Sequence, residues 1–190
     1  MNPIHFTRKE PLSQESLGKT LSSILNQELL DGRTSQVPLS GGGSKRVRTW
    51  DYLFNVDKQP TVIEFDGNDH YMDALKIKRD QEKVEQAQEK GVRVVRWPFW
   101  VQLDSLTLKH YLGLEYPITT DFPHGFKGGT KYFPSCFCEK GVSRFLKELD
   151  SLPPELFDAV VESLQVMCDK HGREWVLSTT VQEKLKDLFP

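Results

Sequence analysis

Residues 61–70 read Thr-Val-Ile-Glu-Phe-Asp-Gly-Asn-Asp-His, and no other stretch restricts the fold as much. The β-branched and aromatic run at 61–66 predicts a buried strand. It ends on two carboxylates, a glycine and a histidine. Strand side chains alternate with period two, so Glu64 and Asp66 share a face. Gly67 permits a sharp turn that brings His70 back within reach of both acids. Two acids and an imidazole converging on a strand end have the chemistry to hold a divalent cation and activate a water. The same residues also suit a strand that ends in a solvated turn, with His70 opening a helix. The neighbouring segments decide between these two readings.

Upstream, residues 50–56 (Trp-Asp-Tyr-Leu-Phe-Asn-Val) carry a second strand signal, and residues 57–60 supply a turn. The resulting hairpin brings Asp51, at the start of one strand, beside Glu64 at the end of the next. Downstream, residues 72–90 have a helical period, with Ala74, Ile77, Val84 and Ala87 as the buried side and Gly91 closing the helix. Lys76, Arg79 and Lys83 share a face at three- and four-residue spacing. Lys76 and Arg79 stand nearest the acids, whereas the charges from Lys83 to Lys90 read as solvated. Residues 92–97 form a further strand, stopped by Pro98. A strand, a helix and a strand in succession imply a right-handed crossover and a parallel pair. Trp97, Phe99 and Trp100 then form an aromatic knot, suited to core packing and, in chemistry, to stacking on bases.

Asp51, the run Glu64-Phe-Asp-Gly-Asn-Asp-His70, Arg79 and the segment Gly91-Val-Arg-Val-Val-Arg96 together resemble the PD-(D/E)xK nuclease superfamily. The similarity is strongest to the branch that contains very-short-patch-repair endonucleases. It covers about residues 48–100. The resemblance implies a restriction-endonuclease-like core, with a mixed central sheet flanked by helices, and Mg2+- or Mn2+-dependent cleavage of DNA. Carried over by position, Asp51 and Glu64 are the two motif acids and His70 the branch's histidine. Asp51, Glu64 and Asp66 are then the metal ligands, with Lys76 and Arg79 completing the catalytic set. Two departures stand out. Asp66 occupies the place of the superfamily's lysine, for which Lys76 is the natural substitute, and Trp50 precedes Asp51 where the first motif has a proline. Loss of activity, leaving a nuclease-like module that binds nucleic acid or protein, is the alternative that the missing lysine raises.

The rest of the chain frames this centre. Residues 12–30 read as an amphipathic helix with Leu17, Leu21, Ile24, Leu25 and Leu29 on one side and Ser13 as its cap, closed by Asp31-Gly32. Residues 37–48 hold three glycines followed by Lys45, Arg46 and Arg48, either a phosphate-binding loop or a plain solvated hairpin loop. Lys127 and Lys131 in a second glycine-rich loop add to the expected DNA contacts. Helices are expected at 105–112, 138–149, 153–170 and 179–188. The expected organisation is an α/β core over 1–135 with a C-terminal helical extension over 136–190.

With 190 residues, a hydrophobic fraction of 37% and a net charge of -2, the composition is that of an ordinary soluble chain. No apolar run is long enough for a membrane span. Three cysteines are too few for a disulfide framework, so a reducing cytoplasmic or nuclear setting is expected. Cys136, Cys138, Cys168, His124 and His171 offer zinc-type donors but lack the usual two-residue cysteine gap, and core cysteines explain them better. A homodimer would suit cleavage of both strands.

Overall fold

A computed structural model of the chain describes residues 6–8, 10–28, 30–31, 50–126 and 130–187. Strands β1 (Phe6–Arg8) and β6 (Ile118–Thr120) pair in parallel as a small separate ribbon. The main sheet holds β2 (Leu30–Asp31), β3 (Tyr52–Val56), β4 (Gln59–Asp66) and β5 (Arg93–Pro98), adjacent in that order. It is mixed: β4 runs antiparallel to β3 and parallel to β5. The helices are α1 (Gln14–Leu25), α2 (Asp69–Met72), α3 (Ala74–Gln88), α4 (Ser105–Leu112), α5 (Glu139–Asp150), α6 (Pro154–His171), α7 (Arg173–Val176) and α8 (Thr179–Lys184). The architecture is thus α/β, a small mixed sheet flanked by helices.

The hairpin forms with a tighter turn than the expected four residues. Val56 pairs with Gln59, leaving a two-residue loop of Asp57 and Lys58 at φ 50° and 65°. Two successive left-handed residues give the turn whose twist matches that of its flanking strands. The first helix is also shorter than its apolar period suggests. Ser13 caps it as expected, exchanging hydrogen bonds with Ser16, but Asn26 at φ 49° ends it and satisfies the Ser22 and Ser23 carbonyls. The chain beyond Asn26 is then able to turn extended, and Leu30–Asp31 form an edge strand on β3. Gly18 lets α1 lie directly on the sheet, since a Cβ there would fall 2.4 Å from the Tyr52 ring.

The long helix expected over 72–90 is split. Asp73, extended at φ -113°, caps α3 by accepting from the Leu75 and Lys76 amides, and His70 lies in the short α2 before it. Gly91 at φ 72° closes α3 and starts the parallel return into β5. Trp97 and Trp100 are fully buried, which assigns most of the aromatic knot to the core; Phe99 is only half-buried. Three short helical segments carried no period in the sequence: 3-10 turns at Thr130–Tyr132 and Pro134–Cys136, and α7.

One hydrophobic cluster reaches from Leu12 to Leu185, so the 136–190 helices share a core with the rest of the chain. One close approach is at α5. A Cβ on Gly141 would fall 1.8 Å from the Tyr71 carbonyl oxygen, which also accepts from the Cys138 amide. No helix among the described residues is long and apolar enough to cross a membrane.

Candidate functional site

Strand β4 presents Val62, Glu64 and Asp66 on one face, and α3 covers that face. The helix starts at the C-terminal end of β4 and returns toward the start of β5, so residues later in α3 lie over residues earlier in β4. Ala87 packs with Val62, together with Trp50 and Val92, in a small apolar cluster. Lys83 reaches Glu64. Asp80 reaches the charges around Asp66. The polarity of the covered face therefore rises along the strand, from a dry apolar end to a charged end.

Asp51 and Glu64 face each other across the hairpin, because the register that pairs Tyr52 with Ile63 sets them opposite when continued by one residue. The Phe65 amide donates to Asp51 Oδ2 at 2.8 Å and the Asp51 amide donates to Glu64 Oε1 at 3.3 Å. Lys83 Nζ donates to the same Glu64 oxygen at 2.5 Å and lies 4.0 Å from the Trp50 ring centroid. Asp51 Oδ1 and Glu64 Oε2 accept no hydrogen bond from any described residue. Burial raises the pKa of both carboxyls. At Asp51 the Phe65 amide and Lys83 oppose the rise; at Glu64 Lys83 opposes it and the Asp51 charge adds to it. Among the described residues, two carboxylates against one ammonium leave an excess negative charge in a poorly solvated place. Hard oxygen donors with that imbalance fit a divalent cation such as Mg2+.

Asp66 belongs to a different arrangement. Its carboxylate is 0% exposed and is gripped by Arg96 through Nε at 2.7 Å and through Nη2, and by Arg144 Nη2. Arg96 Nη2 also donates to Asp80 Oδ2 at 2.9 Å, and His70 Nδ1 lies 2.6 Å from that same oxygen. Arg144 continues the network by donating to the His70 carbonyl and to Glu148 Oε1, while Tyr71 donates its hydroxyl proton to Glu148 Oε2. Burial alone would raise the Asp66 pKa, but the Arg96 hydrogen bond and the Arg144 and Arg96 charges outweigh it, and the net direction is down. The same contest at Asp80, won by His70 and Arg96, brings its pKa from 3.8 to about 2.

Asp66, His70 and Asp80 offer ligand atoms within 4.8 Å of one another, the spacing of a metal group. Their charge is already matched by Arg96 and Arg144. A cation there would have to leave two half-buried guanidinium groups uncompensated, and breaking a buried pair costs about 3–5 kcal/mol. The geometry therefore divides the predicted ligands: Asp51 and Glu64 stay together, and Asp66 is taken up by arginines.

Lys76 pairs with Asp69 on the outer side of the turn. Arg79 is exposed. Lys83, expected to be solvated, is the cation that meets the acids, because it stands seven residues and about 10 Å further along α3 than Lys76, back over Glu64. Lys131 is exposed with its Nζ 5.2 Å from the Tyr132 ring. Lys45, Arg46, Arg48 and Lys127 lie outside the described residues, as does Leu29 of the first helical stripe. Cys136, Cys138, Cys168, His124 and His171 form no metal group among the described residues. His124 instead accepts from the Gln102 amide and pairs with Asp104.

Sequence reasoning missed Asp80, Lys83, Arg144 and Glu148, and gave Arg96 no role. A signal existed for two of them. Asp80 and Lys83 fall inside the buried stripe that runs from Ile77 to Ala87, where a charge needs a partner. No signal links Arg144 to Asp66, 78 residues away.

No protein-family model matches this chain, and no curated protein and no solved structure is significantly similar to it.

Proposed function

We propose that the chain is a metal-dependent DNA endonuclease built on a restriction-endonuclease-like core. The observation that carries this reading is Lys83: an ammonium 2.5 Å from Glu64, with Asp51 directly across the hairpin, supplies the lysine that position 66 lacks. Asp51 and Glu64 are the residues that would hold Mg2+ or Mn2+. The chemistry such a cation supplies is polarisation of the scissile phosphate and acidification of the attacking water. Asp51 and Glu64 must be ionised to bind it, and the Phe65 and Asp51 amides orient their carboxylates. Lys83 is positioned by Glu64 and by the Trp50 ring, and its Nζ protons stabilise negative charge growing on the phosphate oxygens. His70 and Asp66 act at one remove, by holding the end of β4 through Arg96 and Arg144.

The test is a cleavage assay on duplex DNA with added Mg2+ or Mn2+. The native chain is expected to cut, and Asp51→Asn and Glu64→Gln to abolish cutting without loss of thermal stability. Undiminished cutting by Glu64→Gln would discard this site. A second reading, an inactive nuclease-like module, draws on one observation: Asp66 of the E-x-D-G-x-x-H run is neutralised by Arg96 and Arg144, and His70 is taken up by Asp80. It predicts salt-sensitive DNA binding with no cleavage under either metal.

A further inference from the structure

Across β4 from Glu64, on the Phe65 side, a cleft of about 300 Å³ opens at the C-terminal ends of β4 and β5. Gly67 and Asn68, just after β4, form one wall, and Phe99, just after β5, forms another. No charged residue lines it among the described residues. Its aromatic members, Phe65, Phe99 and Tyr132, are each only half-buried, and Phe99 and Tyr132 tilt against each other at 6.2 Å. Its floor carries Gln102, which is 2% exposed. Gln102 Oε1 accepts from the Leu12 amide at 2.8 Å, while its Nε2 donates to no described residue. That Nε2 still reaches solvent where Gln102 lines the cleft, so its donor is open to an acceptor that enters. An uncharged slot with aromatic walls and an unspent donor at its base suits a flat, neutral, hydrogen-bonding group.

We propose that this cleft receives a single unpaired nucleobase from the nucleic-acid strand. The base stacks on the Phe99 and Tyr132 rings, and one of its carbonyl oxygens accepts from Gln102 Nε2. Bases outside a duplex are recognised by stacking and by hydrogen bonds to their exposed edges. The volume lies at the small end of ligand sites, which fits one base and excludes a base pair. Phe65 and Glu64 are consecutive in β4, so the cleft and the acid pair flank the same strand end. The source of the base rests on the nuclease reading above; the chemistry of the cleft does not.

The experiment measures binding in EDTA, where no strand is cut, to three labelled duplexes: one with a single bulged thymidine, one with an abasic bulge, and one fully paired. The bulged base is expected to bind roughly tenfold more tightly than the abasic bulge, the effect of one base stacked on an aromatic side chain. Gln102→Glu, which keeps the acceptor for Leu12 but removes the donor, should erase that preference and leave binding to the paired duplex unchanged. Tyr132→Ala, at the end of a short 3-10 turn, should do the same and serves if Gln102→Glu melts early. Equal binding of the bulged and abasic duplexes, or a preference that survives both variants, overturns the proposal. Free thymidine that competes as well as the bulged duplex overturns its strand-borne part. A base preference without any metal-dependent cleavage supports the cleft and defeats only the nuclease reading; cleavage without a base preference does the reverse.

Discussion

Glu64 and Asp66 stand two residues apart on one strand face, yet their surroundings drive their pKa values in opposite directions. Both are buried, so desolvation penalises both charges. Asp66 overcomes the penalty because two arginines converge on it with three guanidinium hydrogen bonds. Glu64 does not, because one lysine must serve both it and Asp51. The first arrangement is electrostatically closed and joins β4, α2, α3, β5 and α5. The second is left with uncompensated negative charge and two carboxylate oxygens without partners among the described residues. A closed network contributes to the fold, and the open one leaves the hard oxygen donors that the proposed function requires.

The comparison breaks most visibly at Lys83. Lys83→Met is expected to slow cleavage by about 100- to 1000-fold, the usual effect of removing one transition-state charge stabiliser. Lys76→Met and Arg79→Ala should stay within about threefold of the native rate, since neither faces the acids. Single-turnover kinetics on one duplex would read all three. A large loss at Lys76 with none at Lys83 would reverse the assignment.

Stability separates the two groups next. Asp66→Asn leaves Arg96 and Arg144 short of a counter-charge and should lower unfolding free energy by about 3–5 kcal/mol in urea titrations. Glu64→Gln removes a repelled, poorly solvated charge and should leave stability unchanged or raise it. Equal losses in both variants would remove the distinction between closed and open networks.

Acid sharpens the contrast by about 2 kcal/mol. Asp80 has a folded pKa of about 2 against an ordinary 3.8. A depressed carboxyl contributes stability that is complete above its unfolded pKa and is lost as pH falls through the folded value. The loss should therefore appear between about pH 4 and pH 2, and Asp80→Asn should remove that component of the pH profile. The sign inverts at Asp51 and Glu64, whose pKa values are raised. Protonation relieves their repulsion, so cation affinity measured by calorimetry should fall with decreasing pH earlier than it would for exposed carboxylates. The smallest expected effect lies at the edge of the closed network, where Tyr71→Phe removes one hydrogen bond to Glu148 and should cost about 1 kcal/mol.

The hairpin, the helix and the parallel return strand were legible because apolar period, turn residues and glycine placement all agree across residues 50–98. Asp51 beside Glu64 followed from strand alternation and hairpin length alone. The breaks at Asn26 and Asp73 were not legible, because one left-handed residue at Asn26 and one side-chain cap at Asp73 each interrupt an apolar period without changing it. Lys83 was misjudged as solvated for a related reason. Charge patterns along a helix show which residues share a face, but not which part of that face another element covers.

Local sequence determined the strand that ends in Glu64-Phe-Asp66, the turn at Gly67 and the pairing of two acids across a hairpin, since each depends on backbone geometry within a few residues. The tertiary structure decided which of three acids stays open. Arg96 arrives from the neighbouring strand and Arg144 from a helix 78 residues away, and both close on Asp66. Lys83 arrives by the direction in which α3 crosses the sheet. Coulombic partners are chosen by distance in space, and distance in space is the quantity that a linear pattern of residues does not contain.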